Sequence, residues 1–225
     1  MTSGAQSLRK PAPRAAGDAH GDSMLKRSRI IVDAAYALLD EEGLEGLTIR
    51  AVLKRTGLSR RAFYERFAGK DDLMLAVFEQ TIVQAAHYYG AQAADLSDPM
   101  DRLKLIVTSI VLGQRPLRNE AGTGANRRSA ALSREHLRLA ESRPEDLQAA
   151  LSPLLSLFAQ LLADGMKVGV VRAGSPQQLA TLVYNLVSTT VHSELLARDG
   201  VQPAKARNIR LADDIWEFCR RAIAA

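Results

Sequence analysis

A single cysteine, Cys219, stands among 225 residues. It excludes an internal disulfide and any zinc or iron–sulfur site built from several cysteines, and it suits a reducing compartment. Aromatic residues are also scarce, at 5%. The alternating Val, Ile, Thr and Tyr runs that build sheets are lacking, while Ala, Leu, Arg and Glu dominate, so an all-α protein is expected. The first 23 residues hold no apolar stretch of the kind that directs secretion, only Gly, Ala, Ser, Pro and scattered charges, and the expectation is a cytoplasmic protein. Two uncharged stretches, 147–163 and 173–193, approach membrane-spanning length, but both contain Pro, Gln and Ser and the second adds Asn and His. They read as core helices, and no membrane partner is expected. What is present is an ordinary globular balance, 47% hydrophobic and 24% charged, which argues against overall disorder.

The net charge of +5 is unevenly placed. Residues 1–70 hold 13 Lys and Arg against 8 Asp and Glu, while residues 71–225 hold 17 of each. Between positions 48 and 70 the basic residues are Arg50, Lys54, Arg55, Arg60, Arg61, Arg66 and Lys70, opposed only by Glu65. Such a block suits a polyanion, of which nucleic acid is the commonest. A basic cluster is by itself often no more than a solvated face, so the underlying pattern has to decide.

Residues 1–23 read as a disordered tail, since Pro11, Pro13, Gly17 and Gly21 oppose regular structure and little there can be buried. Residues 25–42 place Ile30, Ile31, Ala34, Ala35, Leu38 and Leu39 at helical spacing, with Gly43 as a natural stop. Thr48 is a good cap for a short helix whose apolar side is Ile49, Val52 and Leu53. Gly57, within Thr56-Gly57-Leu58-Ser59, permits a tight turn, and Ser59 caps a second short helix to Phe67. That helix turns Ala62, Phe63 and Phe67 inward and leaves Arg60, Arg61, Tyr64 and Arg66 outside. Two short helices about a Gly turn, the second carrying basic and aromatic groups, form a helix-turn-helix with its recognition helix.

Longer helices are expected at 70–95, 99–115, 126–142, 144–168, 176–199 and 204–223. Asp98 before Pro99, and Ser175 before Pro176 with Gln178 three residues on, mark two of the starts. Pro153 predicts a kink or a fresh start at Ser152. The stretch 115–125, with Pro116, Gly122 and Gly124, reads as a loop on the border of disorder.

The run Thr48-Ile49-Arg50, Thr56-Gly57-Leu58-Ser59, Phe63-Tyr64-Glu65-Arg66-Phe67 and Lys70-Asp71-Asp72-Leu73 resembles the N-terminal domain of TetR-family transcriptional regulators. The resemblance covers roughly residues 27–77; the rest agrees in length and helix count. Leu53, Arg61 and Arg66 depart from the small Ala, the Gly and the His usual in the family. The resemblance implies an N-terminal three-helix DNA-binding domain with a helix-turn-helix at 24–69, followed at 70–225 by a helical domain for ligand binding and dimerisation. It also implies that Thr48, Tyr64 and Lys70 contact DNA phosphates, roles that a hydroxyl, a helix N-terminus and an ammonium fill without reading sequence. Arg60 and Arg61 open the recognition helix, where a guanidinium can bridge O6 and N7 of guanine. With Arg50, Ser59 and Arg66 they complete the expected contact set for double-stranded DNA.

The function so implied is a ligand-responsive repressor that binds a palindromic operator as a homodimer through 176–199 and 204–223. On those helices Leu179, Leu182, Val183, Leu186, Val187 and Thr190 form one stripe, and Leu211, Ile215, Phe218, Cys219 and Ala222 another. The effector is an unknown small molecule. Candidates to line its pocket are the polar groups on otherwise apolar helices, His87, Tyr88, Thr108, His136, Tyr184, Asn185 and Thr189. Two other classes compete. A small helical enzyme would need a catalytic set from His20, His87, His136 and His192, and no H-E-x-x-H, G-x-S-x-G or phosphate-loop pattern exists, so no catalytic residue, metal or cofactor is expected. A helical adaptor that kept the helix-turn-helix fold to bind protein would have lost the basic recognition surface, which is present here.

Overall fold

The computed structural model describes residues 16–112, 123–196 and 205–225. Nine helices run through them: α1 (Ala16–Gly46), α2 (Ile49–Thr56), α3 (Arg60–Tyr64), α4 (Lys70–Ala94), α5 (Pro99–Val111), α6 (Thr123–Ser142), α7 (Pro144–Lys167), α8 (Pro176–Leu196) and α9 (Lys205–Ile223). The only extended pairing among the described residues is an isolated antiparallel bridge between Val171 and Ala224.

Helix α1 starts earlier than its apolar pattern suggests. Residues 16–23, expected as tail, are helical, and the rest of the expected tail lies outside the described residues. Ile31, Ala35, Leu38 and Leu39 are buried as the spacing predicts, but Ile30 is 49% exposed and falls off the stripe. Regular helix stops at Gly43, whose φ of 72° lies in the left-handed region, and one further turn closes at Gly46.

The body is built on α7, which packs against α4, α5 and α8; α6 lies against α1 and α8, and α9 against α5. Leu147, Leu151, Leu154, Phe158, Leu161 and Leu162 are the buried residues that make α7 so apolar. Helix α7 is long and apolar enough to cross a membrane by length and composition, and its central place in the bundle accounts for that composition. It runs through Pro153 as one helix, which corrects the expected fresh start at Ser152. The carbonyl that Pro153 leaves without a donor belongs to Ala149, an exposed residue within reach of water. After α7 the chain folds back on itself. Gly165 makes room for Val171, which would stand 2.5 Å from a Cβ there, and the amide of Arg172 donates to the carbonyl of Ile223 at 2.9 Å. That turn thereby fastens the end of the chain.

The loop expected at 115–125 falls outside the described residues as far as 122, and α6 begins at Thr123. Helix starts at Asp98 and Ser175 follow the caps: the Asp98 carboxylate accepts from the amide of Met100 at 3.0 Å, and Ser175 Oγ from that of Gln178 at 3.3 Å.

Candidate nucleic-acid interface

Helix α2 begins where Thr48, in extended backbone, turns its Oγ1 to accept from the amide of Ala51 at 3.1 Å. The helix buries Val52 and ends at Gly57, φ 69°, whose amide donates to the carbonyl of Leu53 at 2.9 Å. Thr56 braces the turn, its hydroxyl donating to the carbonyl of Val52 at 2.9 Å and accepting from the amide of Leu58 at 3.3 Å. Ser59 Oγ then accepts from the amide of Ala62 at 3.2 Å and starts α3. Both cap hydroxyls keep their own hydrogen to donate outward.

Phe63 and Phe67 fix the face that α3 presents. They are 0% and 4% exposed, with ring centroids 5.5 Å apart, and they hold α3 in the core shared with α1 and α2. Arg60, Arg61, Tyr64 and Arg66 are consequently all exposed. Arg61 donates to Glu65 at 3.0 Å while its side chain stays 90% exposed, and Arg66 lies 5.9 Å from the centre of the Phe67 ring. No ion pair is seen for Arg60 or Arg50 among the described residues. Arg55 takes another part: it donates to both carboxylate oxygens of Glu41 at 2.7 Å and fastens α2 to α1.

Lys70 opens α4 behind Gly69, which has no side chain to cap it. Asp72 supplies the missing bond from inside the helix, accepting from the amide of Ala68 at 2.9 Å. The Lys70 ammonium donates to the carbonyl of Leu44 at 3.2 Å, so it is half-buried against the end of α1 rather than fully extended to solvent. Two donors remain on it. The start of α4 is fastened to the body as well, by Arg143 to Asp72 at 2.7 Å and Arg138 to Asp71 at 3.1 Å. The Arg143 hydrogen bond, then that from Ala68, holds the Asp72 carboxyl below its ordinary range.

A cavity of about 110 Å³ lies in the body, with α1 along one side. Tyr36 from α1, Gln84 and Tyr89 from α4, Ser129, Ser133 and His136 from α6, and Tyr184, Ser188 and His192 from α8 contribute its polar walls. Of the candidates from sequence, His136 and Tyr184 stand in these walls. His87, Asn185 and Thr189 are exposed and outside them; Tyr88, also outside, meets Tyr89 edge to face with centroids 5.7 Å apart, and the Thr108 hydroxyl donates to the carbonyl of Lys104 at 2.8 Å. Sequence reasoning missed Tyr36, Gln84, Tyr89, Ser129, Ser133, Ser188 and His192 as members of these walls. A signal existed: Ser129, Ser133 and His136 fall on one helical face, as do Tyr184, Ser188 and His192 at every fourth position. The His136 and His192 rings meet edge to face at 4.7 Å, and burial pushes the His136 pKa below its ordinary value.

A capped, glycine-turned pair of short helices with an exposed basic second helix, standing on a helical bundle, defines a helix-turn-helix protein. Residues 31–77 match the family described as bacterial regulatory proteins, tetR family. A curated relative, the HTH-type transcriptional regulator BetI of Stenotrophomonas maltophilia (strain R551-3), is 32% identical over 84 residues, a match spanning 36% of this chain and 42% of that regulator. The chain thus matches less than half the length of that relative. Among solved structures, a TetR-family transcriptional regulator from Pectobacterium atrosepticum superposes with a TM-score of 0.67 at 18% identity, covering 91% of this chain and 97% of the other. The regulator FadR from Bacillus subtilis, solved with stearoyl-CoA, superposes with a TM-score of 0.63 at 16% identity, covering 85% of this chain and 96% of that one. Residues 31–77 thus carry the domain of that family, and the described length of the chain has the fold of these solved structures.

Proposed function

We propose that this chain is a ligand-responsive repressor that binds a palindromic operator as a homodimer. In this reading residues 24–69 grip DNA and residues 70–225 dimerise and hold the effector. The observation that carries it is the recognition helix α3, whose core side is locked by Phe63 and Phe67 while Arg60, Arg61 and Tyr64 face outward. Arg60 and Arg61 read base edges; Arg50, Arg66, Tyr64 and Lys70 and the cap hydroxyls of Thr48 and Ser59 hold phosphates. The cavity supports ligand control because Tyr36, on the same helix that packs against α2, forms part of its wall. FadR, of the same fold, was solved in complex with stearoyl-CoA, which supports the reading that this fold binds a small molecule. No group of His, Cys, Asp and Glu suited to a metal occurs among the described residues, and the reading requires none.

The test is binding to a selected duplex against random duplex at several salt concentrations. Arg60→Ala or Arg61→Ala should cost about 1–3 kcal/mol on the selected operator and little on random DNA, whereas Lys70→Ala should weaken both alike and lower the salt slope by about one. Equal losses on both duplexes for both arginine variants would remove them as base readers. Failure to bind any duplex at low salt would favour the adaptor reading.

A further inference from the structure

Resting on the reading of the cavity as the effector site, we infer that its ligand is a small uncharged molecule carrying a hydroxyl group, no larger than about one aromatic ring. Charge is the first argument. Among the described residues that line the cavity there is no Asp, Glu, Lys or Arg. Buried Arg128 on α6 lies over the ring of the wall residue Tyr36 at 4.4 Å, but it pairs with Asp40, and buried Glu135 on the same helix pairs with Arg138, so both charges are already answered. His136 is kept neutral at pH 7 by its burial among Phe78, Tyr184 and His192. A carboxylate or ammonium entering such a site would surrender its water without gaining a counter-ion, which costs several kcal/mol.

Polarity is the second argument. Two buried atoms among the cavity residues, Gln84 Oε1 and His136 Nδ1, have no hydrogen-bond partner. Buried polar atoms in folded proteins are nearly always paired with protein or ordered water, so both are free to bond a ligand that displaces water there. The amide oxygen takes a donor; the imidazole nitrogen takes a donor or an acceptor according to where the ring proton sits. A hydroxyl supplies both and carries no charge. Size is the third argument: at about 110 Å³, against roughly 150 Å³ for a closed cavity that accepts benzene, there is room for one ring-sized group, and the side open to solvent takes its substituent.

Calorimetry on the full chain without DNA, using benzyl alcohol, toluene, benzoate and benzylamine at pH 7.5, tests this. Benzyl alcohol should bind about three- to tenfold more tightly than toluene, the worth of one hydrogen bond, and at least about tenfold more tightly than either ion. Gln84→Met and His136→Phe should each reduce the preference for alcohol over toluene while toluene still binds, which shows the variant folded. Should either variant fail to bind toluene, the wild-type ranking of the four probes decides alone. A charged probe that binds as well as the alcohol overturns the inference, as does parity of alcohol and toluene, or no binding of any probe up to its solubility. Because DNA is absent, loss of operator binding would refute the repressor reading without touching this ranking.

Discussion

At the scale of single residues, His136 shows how burial alone sets chemistry. Its ring sits between Phe78, Tyr184 and His192, and desolvation, with no acid to offset it, pushes its pKa below the ordinary 6.5. The sign of the consequence follows. As pH falls below about 6.5 the unfolded chain takes up the proton first, the folded chain resists, and stability declines by at most about 1.4 kcal/mol per pH unit until the folded pKa is reached. His136→Gln removes that term. Between pH 7.5 and 5.5 the urea midpoint should therefore fall further for the wild type than for the variant. Equal falls would mean that His136 is charged in the folded protein. Cys219 obeys the same rule: buried, its thiol is pushed up to about 11, in keeping with a small core hydrophobe rather than a redox switch.

Among elements, the short-range signals were the legible ones. Thr48, Gly57, Ser59, Asp98 and Ser175 act within four residues of themselves, so the turn and four helix starts could be placed before any packing was known. The basic and aromatic composition of the recognition segment was equally local, but at helical spacing Arg60 would share a face with Phe63 and Phe67, and α3 ends at Tyr64, so their separation comes from the packing. The cavity was not legible in the same way. Its polar faces on α6 and α8 repeat at helical spacing, but only the crossing of α1, α4, α6 and α8 brings them to Tyr36 and Gln84. The start of α1 was hidden by Gly17 and Gly21, which lower helix propensity without forbidding a helix. Missed for the same reason was the pair that joins head to body, Arg128 on α6 with Asp40 on α1. Arg128 is buried, so removing only its partner strands a charge, at a cost of about 3–5 kcal/mol. Asp40→Asn should accordingly destabilise the fold more than the double change Asp40→Asn with Arg128→Met. A double variant as unstable as the sum of the two single ones would show that the helices are held by other contacts.

For the whole molecule the open question is what covers the far side of α8 and α9. Both helices bury one side within the chain, through Leu179, Val183 and Val187 on α8 and Ile215, Trp216 and Cys219 on α9. Yet Leu182 remains 57% exposed and Phe218 64% exposed. We propose that a second copy of the chain covers them about a two-fold axis, which sets each residue against the partner twice and so doubles its worth. Burying a Leu or Phe contributes about 1.5–3 kcal/mol, so Phe218→Arg should weaken the dimer by at least about a hundredfold, before the cost of facing two new charges is added. Sedimentation at micromolar concentration should find the wild type dimeric and Phe218→Arg monomeric, with the helical circular dichroism of both the same because the side chain is absent from the subunit's own core. Val83→Arg, an equally exposed change on α4, should leave the dimer intact. DNA supplies the second readout. Two recognition helices held about 34–36 Å apart bind two half-sites as one event, so the monomer should lose most of its affinity for the full operator but little for a single half-site. A monomeric wild type, or a Phe218→Arg protein that still sediments as a dimer, would move the symmetry axis away from α8 and α9.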